Sequence, residues 1–254
     1  MIITRAPLRI SFVGGGTDIK EFYSRYPGRV ISTSIDKYVY IVANPNTFSG
    51  KYIAKYMETE IVDHPKYFKH DRFKESLIAM EINEGIEIAS FADLPAKTGL
   101  GSSSSFSVAL MKALHAHQGK KISKENVAQS ACNLEIEILK EPIGKQDQYA
   151  AAYGGMNMIT FNVDGSVSVE PIFLDFRFRS KFENHMMLFY TGITRSAGDV
   201  LNEQKKGIDD KFETYKKMSD SVLDFVELIR KEDLRGMARM LHEGWGRKKS
   251  LSGA

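Results

Sequence analysis

The stretch LPAKTGLGSSSSFSVALMKAL, residues 94–114, packs two glycines and four consecutive serines between a proline and an apolar run of helical composition. A strand, a glycine-rich turn and a helix with serines in its first turn would aim free backbone N–H groups and the positive end of a helix dipole at one point. The ligand suited to that arrangement is a phosphate. Gly99 and Gly101 would let the main chain approach without a Cβ in the way, and the serine hydroxyls could add hydrogen bonds or a ligand to magnesium. Residue types exclude two familiar uses. No Gly-Lys-Ser/Thr closes the loop, so it is not a Walker-type phosphate loop, and no Gly-x-Ser-x-Gly occurs in it, so it is not a hydrolase nucleophile elbow. Taken alone, GLGSS is better read as a flexible loop followed by serine caps.

Three stretches together argue for chemistry. APLRISFVGGGTD at 6–18, LPAKTGLGSSSSFSVAL at 94–110 and EIEILKEPIGKQDQYAAAYGG at 135–155, in that order and spacing, resemble the GHMP kinase superfamily of galacto-, homoserine, mevalonate and phosphomevalonate kinases. The resemblance implies an α+β chain with the GHMP kinase fold. A ribosomal-protein-like N-terminal domain, residues 1–180, would bind ATP and carry catalysis, and a ferredoxin-like C-terminal α/β sandwich would occupy 181–254.

It further implies that Lys97, Gly99, Leu100, Gly101, Ser102, Ser103 and Ser104 wrap the ATP phosphates. Ser103 would touch Mg2+, with Ser102 and Ser104 inseparable from it by register, together with Glu135, which stands twelve residues before Asp147. Glu137 is the alternative carboxylate, and a solvated helix face is the plain structural reading of both. Asp147, in the position of the superfamily's G-x-x-D-Q aspartate, would orient the attacking hydroxyl and accept its proton late. Arg9 would hold that carboxylate ionised and stabilise developing charge. The structural alternatives are a turn aspartate and a surface arginine at a strand end.

Asp18 matches a sugar-contacting aspartate of galactokinase-like members, with Gly15, Gly16 and Thr17 beside it. The glycines replace the bulkier residues found there and would leave room for a larger sugar. GGGTD, GRVISTSIDKYVYI and YTGITRSAGDVLNEQKK narrow the similarity to bacterial D-glycero-D-manno-heptose 7-phosphate kinases, and Arg195 or Lys145 would meet the 7-phosphate. Kinases of fucose, mannose or galactose type, and a catalytically silent regulator of the same fold, are the competing functions. The superfamily's third glycine-rich signature is absent, so the C-terminal domain is expected to be incomplete.

The elements that must position these residues are legible in part. Residues 2–13 read as an extended segment broken by Pro7 and ended by the Gly14–Gly16 turn, and 30–43 as one or two β-branched strands. Tyr52–Val62 extends the sheet, 73–86 is helical up to Gly85, and IEIASFADLP is the strand entering the loop. Helices are expected over 105–117 and 124–139, and Asp164-Gly165 marks a hairpin. HMMLFYT at 185–191 reads as a buried strand, 200–242 as helical, and FRFRSKFEN as the boundary between domains.

The 254 residues, 43% hydrophobic and 26% charged, suit a folded chain with a sizeable core. A net charge of +3 carries no sign of a nucleic-acid-binding face. Cys132, the only cysteine, excludes a disulfide framework and reads as a buried structural thiol. The histidines show no ligand spacing. With no signal-peptide pattern and no long apolar run, a cytoplasmic protein without membrane contact is expected, binding ATP and a sugar phosphate, with a homodimer as a possibility.

Overall fold

The computed structural model describes residues 1–96, 98–192 and 207–251. In chain order the elements are β1 (Ile2–Val13), α1 (Lys20–Tyr23), β2 (Gly28–Pro45), β3 (Tyr52–Lys55), β4 (Thr59–Val62), α2 (Asp71–Ala79), β5 (Ile86–Ala92), α3 (Ser102–His117) and α4 (Lys124–Cys132). A π-helical turn (Asn133–Ile138) follows, then α5 (Gln146–Tyr153), β6 (Met156–Phe161), β7 (Val167–Pro171), α6 (Phe176–Asn184), α7 (Phe212–Arg230) and α8 (Leu234–Leu251). The chain forms two compact units that interleave in sequence, and β1 and β2 each run through both.

The first unit comprises Met1–Arg9, Ser34–Ile143 and Asp147–Gly154. Its strands lie in the order β4-β3-β5-β2, with β5 antiparallel to β2 (Val39 opposite Ala92, Pro45 opposite Ile86) and β3 parallel to β5. Val39, Ile41 and Ala43 on β2 and Ile86 and Ile88 on β5 are buried at every second position, as a strand's pleat requires. Helix α3 is buried almost all round, including Ser104, Ser105 and Ser107, so those hydroxyls must find partners inside the protein. Ser105 donates to the carbonyl of Pro7 (2.7 Å).

The second unit comprises Ile10–Thr33, Gly144–Gln146 and Gly155–Ala254. Here the first half of β2 pairs antiparallel with β6 (Gly28 opposite Phe161), and β6 with β7 through the hairpin expected at Asp164-Gly165. Val13, Ile31, Phe178, Phe182, Val222, Phe225, Ile229 and Met237 form one apolar cluster, and Ile19, Phe22, Ile208, Tyr215 and Met218 another. The stretch 176–184 is a helix that buries Phe178 and Phe182 in the first cluster.

Four local expectations change. β1 runs unbroken through Pro7: among the described strands it pairs with β2, so it lies at the margin of the sheet, where a proline's missing N–H is tolerated. Helix α2 stops at Ala79, where Glu81 takes a left-handed φ of 53°, well before Gly85. The helix expected over 124–139 becomes π-helical from Asn133. Residues 185–191 form no strand: no described strand pairs with them, and Met187, Leu188, Phe189 and Tyr190 are exposed. Cys132 is buried as expected.

Candidate active site

Three main-chain features shape the glycine and serine loop of the first unit. Gly99 and Gly101 have φ of 77° and 74°, in the left-handed region that glycine enters without steric cost. Gly101 is the N-cap of α3, so the helix begins at Ser102, three residues earlier than its apolar period suggests. The first-turn N–H groups of α3 are therefore offered beside a loop with no side chains at its two bends.

Arg9 ties this loop to the candidate base. Its backbone N–H donates to the carbonyl of Leu100 (3.0 Å) and its Nη1 to that of Gly99 (2.8 Å). Nε and Nη2 donate to Asp147 Oδ1 (2.7 Å) and Oδ2 (2.8 Å), a two-pronged pair that fixes the carboxylate plane. Asp147 lies in the first turn of α5. A Cβ on Gly101 would meet Arg9 Cγ at 3.2 Å and Asp147 Oδ2 at 3.3 Å, whereas one on Gly99 would meet nothing within 4 Å. Gly99→Ala and Gly101→Ala should therefore both lose about 1–2 kcal/mol to left-handed strain, but only Gly101→Ala should also disturb the Arg9–Asp147 pair and lower kcat. Melting curves set beside steady-state rates for the two variants check this.

Glu135 is fully buried in the π-helical turn, a helix irregularity often found at functional sites. It accepts from Ser104 Oγ (2.8 Å), Ser107 Oγ (2.8 Å), Gln148 Nε2 and Arg72 Nη2 (3.1 Å). Arg72 Nη2 also reaches Ser103 Oγ and Glu141 Oε2 (2.8 Å). Burial pushes the Glu141 carboxyl above the usual carboxylate range; Arg72 opposes the rise and Glu135 adds to it. Glu137, the alternative carboxylate, points outward and pairs with Lys140 at 3.6 Å.

Oxygens of Ser103, Glu135 and Glu141 thus converge on one cationic nitrogen. Hard oxygen donors gathered round a positive charge are what magnesium takes, so the residues present fit that ion with phosphate and water completing its shell. No three His, Cys, Asp or Glu side chains among the described residues are grouped so as to hold a metal. Sequence reading missed Arg72, Glu141, Ser107 and Gln148. An arginine in the first turn of a helix, against the dipole, is the signal that could have flagged Arg72.

His70, the residue before α2, packs on Tyr56, Phe73 and Phe106, and its buried Nδ1 has no hydrogen-bond partner among the described residues. Burial, aided by Arg72, lowers its pKa. Below the ordinary value of about 6.5 the unfolded chain takes up a proton that the folded one resists, so stability should fall as pH drops from there until the folded pKa is passed. Melting temperatures of wild type and His70→Phe at pH 7.5 and near pH 5.5 (both ~, set around that pKa) should show a smaller acid loss in the variant.

The GGGTD turn belongs to the second unit. Gly14 and Gly16 have φ of 83° and 101°, and a Cβ on Gly14 would lie 2.0 Å from the Arg29 carbonyl. Thr17 is fully buried, its hydroxyl within 2.8 Å of the carbonyls of Gly14 and Arg29. It shapes the turn and offers no free hydroxyl toward a ligand. Asp18 is buried and its Oδ2 accepts from the N–H of Gln146 (3.0 Å), the residue before Asp147. Gly144 is obligatory there, since a Cβ would sit 2.0 Å from Asp18 Oδ2. Gly15 carries no such constraint: a Cβ would meet only Gln146 Oε1 and Lys248 Nζ, both at 3.8 Å. Lys145 donates to the Gly165 carbonyl (2.8 Å) and lies over Tyr23. Lys97 and Arg195 lie outside the described residues.

The chain is similar to known proteins along most of its length. Residues 67–155, which hold the loop, Glu135 and Asp147, match the GHMP kinases N terminal domain. A D-glycero-alpha-D-manno-heptose 7-phosphate kinase of Campylobacter jejuni is 30% identical over 269 aligned residues, covering 99% of this chain and 78% of that protein. A galactokinase of Thermococcus kodakarensis is 26% identical, covering 89% of this chain and 63% of that one. The crystal structure of a D-glycero-D-manno-heptose 1-phosphate kinase from Bacteroides thetaiotaomicron superposes with a TM-score of 0.83 at 25% identity, covering 98% of this chain and 79% of that one. The glycine loop, the Arg9–Asp147 pair and the buried Glu135 are thus set in a chain that belongs to the GHMP kinase family and is, by that membership, a kinase.

Proposed function

We propose that this chain phosphorylates a heptose 7-phosphate at its anomeric hydroxyl, using ATP and Mg2+, to give the 1,7-bisphosphate. The observation that carries the reading is the Arg9–Asp147 pair anchored to the carbonyl of Gly99, which ties a base to a phosphate cradle through one side chain. The anomeric oxygen attacks the γ-phosphorus, the bond from that phosphorus to the β,γ-bridging oxygen breaks, and ADP leaves. The hydroxyl proton passes late to Asp147, whose carboxylate Arg9 aims through two hydrogen bonds. Backbone N–H groups at the start of α3 take up charge on the phosphates. Ser103 and Glu135 would hold magnesium, which neutralises phosphate charge when bound. By the resemblance, Gly15, Gly16 and Asp18 would contact the sugar, and Arg195 or Lys145 the distal phosphate.

The names of the C. jejuni and B. thetaiotaomicron proteins agree on the heptose and differ on the phosphate position, 7 against 1. In this reading the chain works in the cytoplasm, as residues 1–180 binding ATP and 181–254 completing the fold, alone or as a homodimer, without nucleic acid or membrane. Its product would serve GDP-heptose and surface-glycan synthesis. No described helix is long and apolar enough to cross a membrane. The galactokinase relative supports a second reading, a kinase of an unphosphorylated sugar. ADP release measured with heptose 7-phosphate, heptose 1-phosphate, free heptose, galactose, fucose and mannose separates them. Preference for heptose 7-phosphate is expected. Preference for a neutral sugar would establish the second reading, and nucleotide binding without turnover on any acceptor would point to a silent regulator.

A further inference from the structure

We propose that Arg72 stands in for the divalent cation in the nucleotide-free chain, and that the cation enters only as this guanidinium leaves. Arg72 Nη2 touches Ser103 Oγ, Glu135 Oε1 (3.1 Å) and both Glu141 oxygens (2.7 and 2.8 Å), while Nε lies 3.2 Å from Ser107 Oγ. These include the hydroxyl and the carboxylate fitted to magnesium, so one nitrogen and one metal ion compete for the same oxygens. The need for a resident cation is physical. Glu135 is 0% exposed, and a buried carboxylate with no counter-charge costs several kcal/mol or abandons its charge.

The position of Arg72 is not explained by its own helix. It lies in the first turn of α2, where the dipole disfavours a cation, so the carboxylates hold it there. Displacement by Mg2+ replaces one positive charge by two facing two carboxylates, and frees a guanidinium beside Ser103 of the phosphate loop. The oxygens nearest that end of α3 in a nucleotide complex are phosphate oxygens, which guanidinium binds in the same two-pronged way as carboxylate. Metal and nucleotide therefore bind together, because the nucleotide supplies the anion that takes Arg72 off the cation site.

The inference rests on the kinase reading only for the identity of the cation, and its test needs neither nucleotide nor sugar. Mn2+ is titrated by electron paramagnetic resonance against wild type, Arg72→Met, Arg72→Gln and the double variant Arg72→Met/Glu135→Gln, with melting curves alongside. Wild type should bind Mn2+ at least about tenfold more weakly than Arg72→Met (~1.4 kcal/mol for each tenfold), with Arg72→Gln in between. Arg72→Met should melt lower than wild type without metal and recover with Mn2+. The double variant should lose the gain. Folded Arg72→Met and Arg72→Gln that bind Mn2+ no more tightly than wild type, or a gain that survives Glu135→Gln, would overturn the proposal. If Arg72→Met does not fold, Arg72→Gln, which keeps two donors and no charge, decides alone. A chain that gains Mn2+ affinity yet phosphorylates no heptose would refute the substrate and leave this inference standing.

Discussion

Asp147→Asn should lower kcat by roughly 10²–10⁴-fold, the usual worth of a positioned proton acceptor, with the KM for ATP little changed. Asparagine is almost the same size and keeps one oxygen for Arg9, but it cannot take the acceptor's proton. It also turns an N–H group toward Arg9 in place of an oxygen, so one prong of the pair at 2.7 and 2.8 Å becomes a donor facing a donor. The glycine loop does not depend on that oxygen: Arg9 keeps its bonds with the carbonyls of Leu100 and Gly99, and the start of α3 is unchanged. The loss should therefore fall on the chemical step. Steady-state kinetics with fluorescent-nucleotide binding on the same preparation measure both quantities, and a variant within about tenfold of wild-type kcat would remove Asp147 from the base role.

Glu135→Ala should cost about 3–5 kcal/mol of stability, because it breaks a buried ion pair by deleting one partner. Arg72 is left beside a hole with only the half-buried Glu141, and Ser104, Ser107 and Gln148 Nε2 lose an acceptor inside the protein. For a domain of this size that corresponds to a fall of roughly 6–20 °C in melting temperature. Glu137→Ala, whose carboxylate is exposed, should melt within about 1 °C of wild type, as surface changes usually do. Similar losses in the two variants would mean that Glu135 is not the buried anion of the site.

The chemistry was more legible in the sequence than the packing. Gly99 and Gly101 announced a bend that only glycine makes readily, and both sit at left-handed φ. Arg9 and Asp147, 138 positions apart, could be paired from the family resemblance but not from periodicity, since nothing local in APLRIS points at a residue that far along the chain. The start of α3 was misplaced because its first three residues are serines, which carry no apolar period, yet Ser104 and Ser105 are buried by their hydrogen bonds. The π-helical turn that sinks Glu135 into the core reads in sequence as an ordinary helix face, so a solvated glutamate was a fair alternative there. The apolar run at 185–190 shows the limit of composition. A strand needs a neighbour as well as β-favouring side chains, and no described strand supplies one. Arg72 and Glu141 escaped because each looks like surface charge until the fold brings them together around one nitrogen.

The most direct test of heptose phosphate phosphorylation is phosphorus NMR of the chain turning over ATP, Mg2+ and D-glycero-D-manno-heptose 7-phosphate. We expect a new anomeric phosphate resonance to grow in step with ADP while the 7-phosphate signal persists, and neither change with Asp147→Asn. ADP and inorganic phosphate appearing without an anomeric resonance, or an anomeric phosphate formed on a neutral sugar but not on the heptose 7-phosphate, would contradict it.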